Sequence, residues 1–492
     1  MRIAGRAFSL PDAVMGALAL AWAVSMAAVA ANTRPIASDD AFISFEYARN
    51  LARGQGLVFN SGERVWGFTS PLHTLLLGGL ASAGMDAVRA AFATAFVWIG
   101  ASSVMLYRAG RDILPRPMAL CLGALFLLDG TAHGDYGLES SLLVALQLAF
   151  LLAAQAGWGR TASLLAAISC LARPDSLLLV APVLLFGRET RKPRNLVWFA
   201  AVGLAWEGFA LAYYGDLVPN SYHAKAGLTE FRAYLANAAA HVTRLGLADP
   251  AYTGFVAAER ALAVALAGLA VLNPHVRQRP ALAYALVPYP WLLVLAYSAI
   301  GSYRGHNWEF HSARFFFLSA VAVGFLTVAS QLAGRWRKPA HAALVAPAAA
   351  LLALIALHGL FHTRELACSL AAGDRTYWGG ARYDAYRQIA AWANDHLPPG
   401  SSVAISEVGT FGYFTDLRII DVSGIVTRGI SRRERMDHLR VMARLKPDYA
   451  VLYGQWQDTV AGPGLRYRPT AYFPKTNFQD FTVMRRDSAD GP

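Results

Sequence analysis

Apolar runs recur from residue 12 to residue 361, and they constrain this chain more than any other feature. Read as membrane helices, they fall at 12–31, 90–107, 117–129, 138–156, 161–172, 174–187, 196–214, 256–273, 281–300, 312–333 and 341–361. Several are shorter than the ~20 residues a straight span requires, so their ends are approximate. Only 15% of the 492 residues are charged, against about 25% in soluble proteins. The expected fold is therefore an α-helical polytopic membrane protein. The last ~130 residues return to soluble composition and read as a second domain.

Charge sets the sidedness. The net charge of +12 would suit a nucleic-acid binder, but the basic residues sit in short loops between apolar runs. They read as topology signals and lipid-headgroup contacts, with no nucleic-acid partner. Arg2/Arg6, Arg108/Arg111/Arg116, Arg160, Arg188–Arg194, Arg277/Arg279 and Arg335/Arg337/Lys338 share one side under this count, the cytoplasmic one. Asp39, Asp40, Glu46, Glu63, Asp129, Asp135, Glu139 and Asp216 then face the other. This parity requires that the apolar run 71–84 does not cross, and that 161–187 breaks in two at Arg173-Pro174-Asp175. Eleven spans place the C-terminal domain outside the inner membrane. The stretch Ala13–Ala31 ends in the A-x-A-like Ala28-Val29-Ala30, but its length favours an uncleaved first helix over a signal peptide. The three cysteines are far apart and form no metal or disulfide pattern.

The most informative stretch follows the first apolar run. Ser38-Asp39-Asp40 opens an aromatic-rich segment, then Gly54-Gln55-Gly56-Leu57-Val58-Phe59-Asn60 and Gly62-Glu63-Arg64-Val65 through Gly67-Phe68-Thr69-Ser70-Pro71. Paired carboxylates at a membrane edge are functional candidates, although acids also suit a helix N-terminus. This order of motifs resembles the first extracytoplasmic loop of bacterial GT-C glycosyltransferases, nearest the mycobacterial terminal arabinofuranosyltransferase branch. Four further segments carry the resemblance: Asp135-Tyr136-Gly137-Leu138-Glu139-Ser140, Arg173-Pro174-Asp175, Tyr214-Gly215 through Pro219-Asn220-Ser221 to Lys225, and Gly305 through Trp308 to Arg314. His306-Asn307 depart from the family pattern in the last.

The resemblance implies a GT-C transmembrane catalytic domain over 1–361, with a first extracytoplasmic loop at 32–89, and an extracytoplasmic α/β domain over 362–492. It also implies an inverting glycosyltransferase. Such an enzyme moves a sugar, arabinofuranose in the relatives, from a polyprenyl-phosphate donor to a cell-envelope glycan or glycolipid. Either Asp39 or Asp40 is then the general base, and the sequence leaves the choice open. Lys225, after Tyr222 and His223, suits the donor phosphodiester or snorkels at the interface. Arg314 suits phosphate and Trp308 a sugar face. Glu139 caps a helix, meets sugar hydroxyls or helps hold a metal, and Arg173 braces a broken helix against Asp175 or meets substrate. A hard divalent ion (Mg, Mn or Ca) on Asp39, Asp40 and Glu139 is compatible with oxygen ligands. Two other classes compete: a transporter or flippase of lipid-linked sugars, for which no inverted repeats are found, and a non-catalytic envelope-assembly protein.

In the C-terminal part, Tyr383–His396 and Met436–Leu445 read as helices, and Ser402–Ser406, Leu417–Val422 and Tyr449–Tyr453 as strands of a partly parallel sheet. Val403-Ala404-Ile405 runs into Glu407 and Gly409, and Ile420-Asp421 into Gly424. No GxGxxG follows a strand, which argues against a dinucleotide site.

Overall fold

The computed structural model describes residues 9–32, 37–128, 136–225, 230–245, 253–301, 307–335, 364, 368, 380–430, 434, 437–455, 458, 460–462, 465–474 and 479–487. The chain divides into two compact units, each assembled from separated segments: 1–32, 92–205 and 226–368 in the first, and 33–91, 206–225 and 369–492 in the second. A division at residue 361 makes two consecutive pieces. The observed units instead gather the first loop and the C-terminal residues into one.

The first unit is helical. Among the described residues, four helices are long and apolar enough to cross a membrane: Leu10–Ala30, Ala87–Gly110, Pro193–Tyr214 and His311–Ala329. At 1.5 Å per residue, about 20 residues match a ~30 Å hydrocarbon core. The short helices Pro280–Leu286 and Pro288–Ile300 make a further candidate, bent by 48°. Pro288 and Pro290 lack the N–H groups that would carry the ladder through the bend. The expected count of eleven spans is thus not matched by length. Ser140–Gln155, Gly159–Ala172 and Arg116–Leu128 are helices where spans were expected, but they have 16, 14 and 13 residues. The span expected at 341–361 lies outside the described residues. The expected break at Arg173-Pro174-Asp175 is present: Arg173 is extended (φ −155°, ψ 129°), a 3-10 turn covers Pro174–Ser176, and Leu177–Phe186 resumes as helix. A residue before proline is pushed out of the helical region, which explains why the break falls there.

The second unit holds the helices Asp39–Ala52, Pro71–Ser82 and Gly380–His396 and a six-stranded mixed sheet. The helix Pro71–Ser82 has 12 residues, about 18 Å, too short to cross. The strands are β1 (Ser402–Ile405), β2 (Arg418–Asp421), β3 (Tyr449–Tyr453), β4 (Val460–Gly462), β5 (Leu465–Phe473) and β6 (Phe481–Arg486), in the order β2-β1-β3-β6-β5-β4. The β2-β1-β3 half is parallel and the rest antiparallel.

Alternation along the strands gives the sheet two apolar faces. Val403, Ile405, Ile419, Val451 and Val483 pack with Tyr47, Phe59, Trp66 and Phe68 of the first loop and Tyr386 and Ile389 of Gly380–His396. Ala404, Ile420, Ala450 and Met484 pack with Val441 and Met442 of the helix His438–Leu445. One Asn side chain fastens the first loop to the sheet and another ties the loop to its own helix. The Asn60 amide donates to the Ile419 carbonyl (2.8 Å) and accepts from the Ile419 N–H (2.9 Å), as a neighbouring strand would. Asn50 donates to the carbonyls of Val58 (3.1 Å) and Phe59 (2.8 Å).

Candidate active site

The helix Asp39–Ala52 carries both acids of the pair in its first turn, where the helix dipole favours negative charge. Ser38 stands at the N-cap but its side chain makes no capping bond. The Asp39 carboxylate instead reaches the start of another helix, Gly409–Tyr413. It accepts from the N–H groups of Gly409 (3.0 Å) and Thr410 (2.7 Å), one on each oxygen. That helix has Val408 at its N-cap, a residue with no acceptor to offer, so Asp39 satisfies donors that its own sequence leaves open. Gly409 is required by this approach, because a Cβ there would run into the Asp39 carbonyl oxygen. Burial pushes the Asp39 carboxyl above the ordinary carboxylate range, outweighing the Thr410 and Gly409 hydrogen bonds, and the charge of Asp40 adds to the rise.

Asp40 is held differently. Its Oδ2 meets the Lys225 ammonium at 3.3 Å, with both side chains partly exposed. Lys225 ends the short helix Asn220–Lys225. That helix is tied down by Asn220, whose amide donates to the carbonyls of Gly424 (2.6 Å), Ile425 (3.1 Å) and Thr427 (3.2 Å). Its N–H donates to the Trp66 carbonyl at 2.7 Å. The Asn220 amide is thus spent on the protein's own backbone. Tyr222 and His223 on the same helix are exposed.

Two further charged residues complete the cluster, and the sequence did not single them out as site residues. Glu407 follows β1 and binds Arg382 of the helix Gly380–His396 (3.0 Å). Its carboxyl is pushed up to about 7, first by burial and next by the charge of Asp39, with Arg382 opposing and Asp40 adding. Beside it, Ser406 donates to the Tyr453 hydroxyl (2.9 Å), which lies 3.2 Å from that of Tyr386. Glu407, Gly409 and Asp421 all sit at the carboxyl ends of the parallel strands, where open α/β sheets place their ligands. Asp421 is a scaffold there. It accepts from the N–H groups of Ser423 (2.7 Å), Ile425 (2.5 Å) and Val426 (2.9 Å), and burial raises its carboxyl to about 6. The Glu407-x-Gly409 spacing just after an apolar strand was the available signal for this part of the site.

The remaining sequence candidates belong to the first unit. Arg173, 6% exposed, donates to Glu139 (2.7 Å), to Asp175 (3.0 Å from Nε) and to the Tyr297 hydroxyl (2.6 Å). Tyr297 in turn donates to Asp175 at 2.6 Å. Arg314 is buried and donates to the His241 carbonyl (2.6 Å). Trp308 lies in the 3-10 turn Asn307–Phe310, and its side chain is outside the described residues. Lys225 and Arg314 therefore belong to different units.

Among the described residues, no three His, Cys, Asp or Glu side chains form a group able to hold a metal ion. Asp39 is fastened by two backbone N–H groups, Asp40 by an ammonium, and Glu139 by the Arg173 guanidinium in the other unit.

Comparison with known proteins agrees with the resemblance read from the motifs. Residues 375–489 match a family described only as a domain of unknown function, DUF8728. Over 217 residues the chain is 32% identical to the terminal beta-(1->2)-arabinofuranosyltransferase of Mycobacterium tuberculosis, covering 38% of this chain and 34% of that protein. The match thus spans about a third of that relative's length. Two crystal structures of ArnT from Cupriavidus metallidurans align over nearly the whole chain at 14% identity. The one bound to undecaprenyl phosphate gives a TM-score of 0.55, covering 98% of this chain and 99% of that one. The apo form gives 0.56, with 98% of each covered. The chain has the GT-C fold of ArnT, with a small sheet domain at its C-terminal end.

Proposed function

We propose that this protein is an inverting membrane glycosyltransferase that takes a sugar from a polyprenyl-phosphate donor and passes it to a cell-envelope glycan or glycolipid. The chemistry is assigned to the outer face of the inner membrane. The carrying observation is the pair Asp39 and Asp40, adjacent in sequence yet held by opposite means: backbone N–H groups on one, an ammonium on the other. Arabinofuranose on a decaprenyl carrier is the sugar we favour, from the likeness to the Mycobacterium tuberculosis transferase.

Transfer needs a base for the acceptor hydroxyl and a cation for the departing phosphate. Asp39 suits the base. Two fixed N–H bonds orient its carboxylate, and its raised proton affinity brings it toward the working pH, where a base is most effective. The acceptor O–H proton passes to Asp39 as the acceptor oxygen bonds the anomeric carbon. The bond from that carbon to the phosphate oxygen breaks, and its electron pair leaves with the polyprenyl phosphate. Lys225 suits the growing phosphate charge, since its ammonium is already paired with one carboxylate, Asp40, and can exchange onto a second anion.

Asp39→Asn and Asp40→Asn test the reading, assayed with synthetic decaprenyl-phosphate arabinofuranose as donor. Asp39→Asn is expected to lose about 100-fold or more in turnover, the scale of a lost general base. Wild-type turnover in both variants would sink it. Mass spectrometry of lipids co-purifying with the wild-type protein identifies the carrier and sugar.

A further inference from the structure

We propose that Glu407 is a positioning residue for the base: anchored by Arg382, its carboxylate sets the charge field in which Asp39 takes up and releases the acceptor's proton. The inference rests on the reading of Asp39 as the base.

Three observations carry it. Glu407 stands two residues before Gly409, whose N–H grips Asp39, so the strand end that fixes the base also fixes Glu407. Its carboxylate is held at 3.0 Å by Arg382, and the negative charges of Asp39 and Asp40 raise its proton affinity. And the cluster is unbalanced. Among the described residues, the helix Asp39–Ala52 contributes Asp39 and Asp40, the end of β1 contributes Glu407, and the cations in ion pairs with Asp40 and Glu407 are Lys225 on Asn220–Lys225 and Arg382 on Gly380–His396. Tyr386 of that helix and Tyr453 of β3 close the surroundings with hydroxyls. The charge of Asp39 raises the Glu407 carboxyl, and like charges act on each other reciprocally, so the titrations of the two acids are linked.

The consequence concerns the pH at which the enzyme becomes competent. Removing the negative charge of Glu407 lets Asp39 give up its proton more easily. Glu407→Gln is therefore expected to move the acid limb of kcat/KM to lower pH, by about 0.5–1 unit for the loss of one near like charge. Glu407→Asp, which keeps the charge, is expected to keep the limb close to wild type. Arg382→Met removes the cation that stabilises charged Glu407 and supplies an independent variant, in which the limb moves relative to wild type while Glu407 is intact.

The test is a pH–rate series from pH 5 to 9 on the full-length protein in detergent, with decaprenyl-phosphate arabinofuranose as donor and thermal unfolding recorded for each variant. A lower limb in Glu407→Gln with recovery in Glu407→Asp supports the assignment. An unmoved limb in Glu407→Gln and Arg382→Met, together with a dead Asp39→Asn, overturns it and leaves the base reading standing. Loss of melting temperature with no change of limb assigns Glu407 a purely structural part and also overturns it. Full turnover in both Asp39→Asn and Asp40→Asn would instead remove the base reading and this inference with it.

Discussion

Two charged clusters in this molecule use the same residue types to opposite ends. In the helical unit, Arg173 is surrounded by Glu139, Asp175 and Tyr297, and the guanidinium and acids fasten one another at a broken helix. In the sheet-containing unit, Asp39, Asp40 and Glu407 outnumber Lys225 and Arg382, and Asp39 is fastened chiefly by neutral backbone N–H groups. The first arrangement is closed upon itself and braces a bend. The second leaves proton affinity to spare. What separates the brace from the proposed site is therefore the kind of donor that holds each acid, more than the presence of buried charge.

The comparison breaks most visibly at Arg173. Arg173→Met leaves Glu139 and Asp175 buried without their cation and is expected to cost about 3–5 kcal/mol. Thermal unfolding of the purified variant reads this loss. A variant of wild-type stability with weakened donor binding would make Arg173 a substrate contact instead. The reverse pattern is expected at Gly409. Gly409→Ala drives a Cβ into the Asp39 main chain, so turnover falls about 100-fold, or roughly 2.7 kcal/mol, through a displaced base. Equal turnover in Gly409→Ala and wild type would show that Asp39 need not be held there.

Glu46 sharpens the comparison with a pH series. It is buried, and burial lifts its carboxyl to about 7 against Arg49 and Asn50. A carboxyl raised in the folded state favours folding below its unfolded value, near 4.5, and loses that stability as pH climbs through the folded value. Glu46→Gln should thus gain on wild type between pH 5 and 8, by roughly 1–3 kcal/mol. A melting-temperature difference that is flat across that window would contradict it. The smallest effect is expected at the cations. Lys225→Met should weaken donor binding about tenfold, or roughly 1.4 kcal/mol, with little change in stability. Arg314→Met should lower the melting temperature, because that side chain is buried and bound to the His241 carbonyl. Donor titrations of both variants decide this, and a loss confined to Arg314→Met would exchange the two roles.

Much of this was legible in the sequence because the signals are local. Asp39 and Asp40 at a helix start follow from a few neighbouring residues, whereas the break before Pro174 and the reading of 71–84 follow from the charge of successive loops. The first three strands, with their apolar runs between turn residues, are also found where expected. The antiparallel half was not foreseen. β5 contains Pro469, with an irregular register between Pro469 and Ala471, and Arg466 and Arg468 occupy its exposed positions, so it does not read as a strand. The helices of 13–16 residues lie where apolar runs were read, but apolar content says nothing of where a helix ends. Glu407 and Arg382 escaped for a different reason. They meet the carboxylate pair only through the fold, hundreds of residues along the chain, and no spacing rule reports such a meeting.

The interleaving of the second unit also governs how the protein is made. Phe59, Trp66 and Phe68 share one core with strands and a helix that begin beyond residue 379, and Trp66 and Phe68 also meet Trp206 and Tyr214. At about 5–20 residues per second, the roughly 280 residues between 91 and 369 take a translating ribosome on the order of 15–60 s to add. Throughout that interval the loop is synthesised but its core lacks the sheet, with only 206–225 added to it. Release of the finished chain, and not emergence of the loop, therefore starts the clock for completing the core that holds Asp39. A truncated product ending before the sheet would carry Asp39 with nothing to hold it, and an uncovered aromatic surface for quality-control proteases to find.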